Sequence, residues 1–123
     1  MDERDRLREQ TARNVAGLEH EQRGEWDAAV ALYERNLAEG FHGDWPYGRL
    51  VLLYSKRAQP HQVVRVLERA VEVFAALPRG HPERSQRLKV FRQRLKEARR
   101  ALRPTSQRRA RALAGSPPDA GRP

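Results

Sequence analysis

Four histidines are the first side chains to consider for metal binding or acid–base catalysis: His20, His42, His61 and His81. They occur singly, without the HxxxH or HExxH spacing that places two imidazoles on one helix face. The chain has no cysteine, which excludes thiolate metal ligands, disulfides and a cysteine nucleophile. We therefore expect no metal site.

The other groups with catalytic potential also lack the required arrangement. Gly40 and Gly43 are not followed by the lysine and hydroxyl residue of a phosphate-binding loop. Glu19, Glu21 and Glu25 form a short charge run, which we expect to be solvated and not a paired acid–base site. No serine has a histidine and an acid at a spacing typical of catalysis. The sequence thus predicts a protein that is not an enzyme and that binds no cofactor.

The charge of the chain is distributed unevenly. The formal net charge is +9, but residues 1–78 hold 11 Lys/Arg and 13 Asp/Glu, while residues 79–123 hold 14 Lys/Arg and 3 Asp/Glu. A near-neutral body with a basic C-terminal third indicates an anionic partner. A solvated helix face in an arginine-rich chain is the other interpretation, and the sequence leaves both open.

Helical periodicity dominates, and no segment has the pattern of a strand, so we expect an all-α protein. In the first predicted helix, from about residue 2 to 22, the recurring positions are Leu7, Thr11, Val15 and Leu18. Three further helices begin near residues 25, 44 and 60, with Asp44 as an expected N-cap. The fifth runs from about 82 to 102, where Pro104 is expected to stop it. Residues 1–103 would form the helical domain, and residues 104–123 a disordered basic tail.

A shift of 34 residues superposes the two predicted helix pairs. Gly24 then aligns with Ala58, and Tyr33 aligns with Leu67. Gly24 would permit the tight turn between the helices, Ala29 would be small where they cross most closely, and Tyr33 would fill the space where they diverge. The tetratricopeptide repeat is a helix–turn–helix unit that recurs every 34 residues.

The segment from about Arg13 to Phe74 resembles tetratricopeptide repeats, as two units of about residues 10–43 and 44–77, with the fifth helix as a C-terminal cap. The resemblance implies antiparallel helix pairs stacked as a short α-solenoid of about five helices. Since about three repeats are normally needed, extra burial by the first helix or pairing as a homodimer stays open. The residues expected to pack the repeats are Gly17, Gly24, Trp26, Ala29, Tyr33, Tyr47, Leu50, Tyr54 and Leu67.

The resemblance implies a groove lined by the first helix of each repeat, with Asn14, Leu18, Leu52 and Lys56 as candidate contacts. The family clamps a terminal carboxylate with a set of lysines and asparagines, of which this sequence has only Asn14 and Lys56. Leu18 and Leu52 stand where polar residues would be needed, so an apolar partner segment suits this groove better than a terminal carboxylate. Trp45, in the loop between the repeats, is expected to cover the core, and its projection from the surface as an anchor for a partner is the alternative. The function implied is that of an adaptor for a protein or peptide partner.

The basic end suggests an alternative function. The apolar positions of the fifth helix, which include Leu88, Phe91 and Leu95, are expected to lie opposite a basic face. Such a face would bind phosphates without sequence specificity, or an acidic protein. The charged N-terminal residues predict no secretory signal and hence a cytoplasmic protein, and no apolar run is long enough for a transmembrane helix. The candidate basic-face residues are Lys89, Arg92, Lys96, Arg99, Arg100 and Arg103.

Overall fold

The computed structural model describes residues 1–115, with side chains described as far as Leu102. This part of the chain is all-α, as predicted, and contains no strand. Each helix packs against the next one along the chain, and α2 also contacts α4. The five helices are α1 (Glu3–Gln22), α2 (Trp26–Ala38), α3 (Trp45–Lys56), α4 (Pro60–Ala75) and α5 (Arg84–Gly115).

A single apolar core joins α2, α3, α4 and α5. Its centre is aromatic: the ring centroids of Phe74 and Phe91 lie 5.4 Å apart in a stacked arrangement, and Tyr47 meets both rings at 5.7 and 5.8 Å. Leu88, Phe91 and Leu95 are all buried, which confirms the predicted apolar stripe of α5. Because these side chains lie beside Phe74, α5 closes one side of the α3–α4 pair.

The turns after α1 and α3 have the same backbone geometry. Gly24 and Ala58 both have positive φ, at 75° and 55°. In the first turn the Glu25 N–H donates to His20 at 2.8 Å, and in the second the Gln59 N–H donates to Tyr54 at 2.9 Å. This is the Schellman arrangement, in which a left-handed residue ends the helix. The two residues that the 34-residue alignment pairs at this turn therefore end their helices in the same way.

These two turns supply a reciprocal test. An L-residue in the left-handed region costs roughly 1–2 kcal/mol relative to glycine, partly offset by the greater freedom of glycine in the unfolded chain. We expect Gly24→Ala to lower the free energy of unfolding by about 1 kcal/mol and Ala58→Gly to raise it by up to about 1 kcal/mol. Urea denaturation measures both. Destabilisation by Ala58→Gly would contradict the conformation described for that turn.

An arginine connects the two helix pairs. Arg69 of α4 donates from Nε to the Leu37 carbonyl at 2.9 Å and from Nη2 to the Ala38 carbonyl at 3.1 Å. The last carbonyls of a helix lack partners within it, and a cation there also favours the helix dipole. Arg69 therefore caps the C-terminus of α2 and fixes α4 beside it.

One predicted helix start is confirmed without its capping bond, and one predicted helix end is wrong. Asp44 is the N-cap residue of α3, as predicted, but its side chain makes no capping bond, because its φ and ψ of −82° and −18° are helical and its carboxylate accepts from Arg87 of α5 at 2.8 Å. Pro104 does not stop α5, which continues to Gly115. A proline costs one backbone bond and introduces a kink, but the Gln, Arg and Ala residues that follow favour a helix. The predicted disorder of residues 104–115 is therefore not observed, and residues 116–123 lie outside the described part.

Candidate partner-binding surface

The surface begins with the contact between α1 and α2, where Tyr33 packs against Gly17. A Cβ atom built on Gly17 would lie 2.5 Å from Cε1 of Tyr33, a side chain with no exposed surface. The Tyr33 hydroxyl donates to Glu21 at 2.6 Å, one turn further along α1. Tyr33 thus packs directly on the α1 backbone at Gly17.

The rest of the α1–α2 contact is polar. Asn36 is fully buried, and its Nδ2 donates to the Gln10 carbonyl and to Asn14 Oδ1, both at 2.8 Å. Its Oδ1 accepts from Arg13 at 2.9 Å, and Arg13 also donates to Glu39 at 2.8 Å. Asn36 is therefore satisfied at both ends of its amide, as a buried polar group requires. Asn14, a candidate groove residue, is part of this internal network.

Because polar residues and Gly17 occupy the packed face of α1, its apolar stripe is left on the surface. The exposed fractions are 55% for Leu7 and 54% for Val15, and Leu18 is half-buried. The recurring apolar positions of α1 therefore lie largely outside its packed face. Helical periodicity identifies an apolar stripe but does not state what covers it.

Glu21, which was expected to be solvated, is buried. Only 5% of its side chain is exposed, and it forms an ion pair with Arg49 of α3. A second bond joins Arg49 Nε to Glu21 Oε2 at 3.1 Å. Burial alone would raise the Glu21 pKa, but hydrogen bonds from Arg49 and Tyr33 outweigh it, so that the pKa lies below its ordinary value. One carboxylate thus connects α1, α2 and α3.

Trp45 does not cover the core as predicted, since 41% of it is exposed. The guanidinium carbon of Arg49 lies 5.6 Å from the centroid of its ring, at the distance of a cation–π contact. Arg49 therefore has Glu21 on one side and the Trp45 ring on the other. The tryptophan keeps part of its ring free next to this ion pair.

Leu18 and Leu52 lie on either side of the Glu21–Arg49 pair along the helices. Leu18 is one turn before Glu21 on α1, and Leu52 is one turn after Arg49 on α3. Leu52 is 38% exposed. We call the free faces of α1 and α3 that carry these residues the α1–α3 surface. The predicted contact Lys56 borders it, with its ammonium nitrogen 5.6 Å from the half-buried Trp26 ring.

The exposed hydrophobic residues are distributed unevenly among the helices. Within the part whose side chains are described, α2 and α4 carry no large apolar residue that is exposed. Apart from Met1, all such residues belong to the odd-numbered helices: Leu7 and Val15 on α1, Trp45 and Leu52 on α3, and Val90 on α5. Single exposed hydrophobics are normal on a surface, so the distribution among helices, and not the number of such residues, is the notable feature.

The basic residues of α5 do not lie opposite its apolar stripe. At about 100° per residue their directions centre roughly 105° from the stripe, which places them on its flank. Arg99 accordingly reaches α4, where its Nη2 lies 2.8 Å from Glu68. Lys89, Arg92 and Lys96 are exposed and have no ion pair among the described residues, and the same holds for Arg100. The side chain of Arg103 lies outside the described part.

The described residues contain no cluster of three or more His, Asp or Glu side chains that is able to hold a metal ion. Within the same part of the chain no helix has both the length and the apolar character needed to cross a bilayer. No protein-family model, curated protein or solved structure matches the chain. The described residues define a five-helix all-α protein in which, apart from Met1, the large exposed apolar side chains belong to α1, α3 and α5.

Proposed function

We propose that this protein is a short tetratricopeptide-like adaptor, and that its α1–α3 surface binds a partner segment carrying apolar side chains. The observation that supports the proposal most directly is that α1 and α3 each carry two large apolar side chains that are exposed, whereas α2 and α4 carry none among the described residues. In a stacked array of helix pairs, α1 and α3 are the first helices of the two units, which line one face. The equivalent turns at Gly24 and Ala58 support such a repeat.

The chemistry of the surface favours a partner with large apolar side chains. Leu18, Leu52 and Trp45 present apolar area, whereas the only charged pair between them, Glu21 and Arg49, is already neutralised internally. Lys56 stands over Trp26, and Asn14 is bonded to Asn36, so neither group is arranged to clamp a terminal carboxylate. The partner segment is therefore expected to bind through apolar anchors, with an aromatic contact at Trp45.

A peptide selection tests this surface. Peptides displayed from a random library would be selected against the wild-type protein, and their affinities measured by fluorescence anisotropy. We expect the selected peptides to share apolar anchor positions and to bind Leu18→Gln/Leu52→Gln at least about tenfold more weakly, since each buried anchor contributes about 1 kcal/mol or more. Their affinity is expected to depend little on salt, because exposed charges take no part.

The matched control is Val90→Gln, which removes an equally apolar exposed side chain from α5. Binding that falls as much in this control as in the double variant would indicate general adhesion and contradict a surface on α1 and α3. Sedimentation of the wild type, without peptide, checks for a homodimer through the same face. A dimer abolished by Leu18→Gln/Leu52→Gln would replace the partner segment by a second copy.

A further inference from the structure

The basic charge of the protein is concentrated in one helix. The residues of α5, from Arg84 to Gly115, include twelve Lys/Arg and a single acid, Glu97. Since the net charge of the whole chain is +9, the remainder is slightly acidic. α5 also has 32 residues against 16 in α4, the helix on which it packs, so half of its length has no counterpart there. The helix is thus both the most basic and the longest element.

The structure separates the cations of α5 that hold the fold from those that are free. Arg87 binds Glu83 and Asp44, at 3.0 and 2.8 Å, and Arg99 binds Glu68 at 2.8 Å. Four others form what we call the unpaired row: Lys89, Arg92, Lys96 and Arg100, spaced three or four residues apart. Over these positions the helix rises by about 16 Å. The row is therefore a straight line of positive charge on one flank.

A shallow depression of about 390 Å³ follows the same flank. Arg84, Lys89, Arg92 and Lys96 line it, together with Ser85, Gln93 and the buried Leu88. The Nε of Arg84 is buried and has no hydrogen-bond partner within the described part of the chain. A buried donor without a partner is unfavourable, and the same side chain lines the depression. The depression thus offers four cations and a hydroxyl.

The form of this surface favours duplex DNA among polyanions. Its one apolar residue, Leu88, is only 4% exposed and offers no anchor for an acidic peptide. No aromatic residue lines the depression, so bases of a single strand would have nothing on which to stack. A regular line of cations on a long helix suits the regular phosphates of a duplex, and the major groove of B-DNA admits an α-helix whereas that of A-form RNA is too narrow.

We infer that the unpaired row of α5 is a second binding site, independent of the α1–α3 surface, which contacts the phosphate backbone of duplex DNA without sequence specificity. Lys89, Arg92 and Lys96 bind phosphate oxygens, and Arg84 lines the same depression. Arg87 and Arg99 remain in their ion pairs and take no part.

Fluorescence anisotropy with a short mixed-sequence DNA duplex tests the site, over roughly 50–200 mM salt. The wild type is compared with Lys89→Gln/Arg92→Gln/Lys96→Gln. Each phosphate contact contributes about −0.9 to the slope of log K against log salt, so the variant is expected to lose about 2–3 units of slope and at least about tenfold in affinity. A second duplex of unrelated sequence is expected to bind equally well.

The matched control removes the same charge from elsewhere, with Arg4, Arg23 and Arg79 changed to Gln, because these three are exposed and have no ion pair among the described residues. An equal loss in this control would overturn the site, since net charge alone would then explain the binding. Duplex RNA and a polyglutamate peptide serve as competitors. Tighter binding to either competitor than to DNA, or no DNA binding by the wild type at the lowest salt, would also overturn it.

Discussion

Gly17→Ala is expected to lower the free energy of unfolding by about 2–3 kcal/mol, in the upper part of the range for overpacking in a core. The added methyl carbon would lie 2.5 and 2.7 Å from two ring atoms of Tyr33. The ring has no exposed surface into which to move, and its hydroxyl is bonded to Glu21. The strain is therefore expected to separate α1 from α2. Urea denaturation followed by circular dichroism measures the change.

Gly48→Ala is the matched control, since Gly48 is also a glycine inside a helix but has nothing within 4 Å of an added Cβ. It is expected to stabilise the protein by about 0.5–1 kcal/mol, because alanine favours the helix. At the positions that align with Gly17 and Tyr33 the second helix pair has Val51 and Leu67, both buried. Tyr33→Leu should therefore relieve Gly17→Ala by about 1 kcal/mol or more in a double-mutant cycle. If Gly17→Ala lowered the free energy of unfolding equally in the wild type and in Tyr33→Leu, the contact between Gly17 and Tyr33 would be contradicted.

Arg49→Met is expected to lower the free energy of unfolding by about 3 kcal/mol at neutral pH, the lower end of the range for breaking a buried ion pair. Glu21 would keep its burial and its bond from Tyr33 but lose the charge that balances it. The lower end of that range applies because 28% of the Arg49 side chain is exposed, so the ion pair is only partly shielded from water. Denaturant unfolding at a series of pH values gives both the size and the pH dependence of the loss.

The free energy of unfolding that Arg49→Met removes should become smaller as the pH falls. In the wild type the Glu21 pKa is lowered, so its stabilising contribution is complete above the unfolded-state pKa of about 4.3 and disappears as the pH falls through the lower folded-state value. In Arg49→Met, unbalanced burial raises the Glu21 pKa, and protonation then removes the penalty of the buried charge. Both effects bring the two unfolding free energies together under acid conditions.

The triple variant Tyr33→Phe/Glu21→Leu/Arg49→Met distinguishes a lost charge from lost packing, because Tyr33→Phe removes the hydroxyl that would otherwise lose its acceptor. Replacement of all partners by apolar groups is often neutral, so we expect most of the stability to return and the pH dependence near the carboxyl pKa to disappear. A triple variant as unstable as Arg49→Met would show that the arginine acts through its packing on Trp45 and not through Glu21. The same pair fixes the register of α1 against α3 and hence the position of Leu18 relative to Leu52.

The helices and their turns were predictable from the sequence because their signals are local. Gly24 and Pro60 mark a turn and a helix start through backbone restrictions that act within a few residues. The stripe of Leu88, Phe91 and Leu95 was predictable since no other face of α5 is apolar. The left-handed conformation of Ala58 was indicated only by its alignment with Gly24, since alanine by itself has no preference for that region.

The exposure of the candidate binding residues was predicted only in part, because exposure depends on partners distant in the chain. Leu52 is exposed and Leu18 is half-buried, whereas Leu7 and Val15 are exposed although they share the helical spacing typical of a packed face. The basic residues of α5 were identified by type, whereas their division into paired and unpaired groups requires Glu68, Asp44 and Glu83 in space. No sequence signal distinguished Glu21 from the solvated Glu19 two residues before it.

The sequence alone thus determined the all-α class, the turn positions and the basic character of α5, since periodicity, glycine, proline and charge act locally or additively. Only the tertiary structure decided which face of α1 is buried. Tyr33 needs the space above Gly17, and Asn36 and Glu21 need polar partners inside the contact. Once these groups are satisfied the polar face of α1 is turned inward, and its apolar stripe remains on the surface because a helix cannot pack both faces against one neighbour.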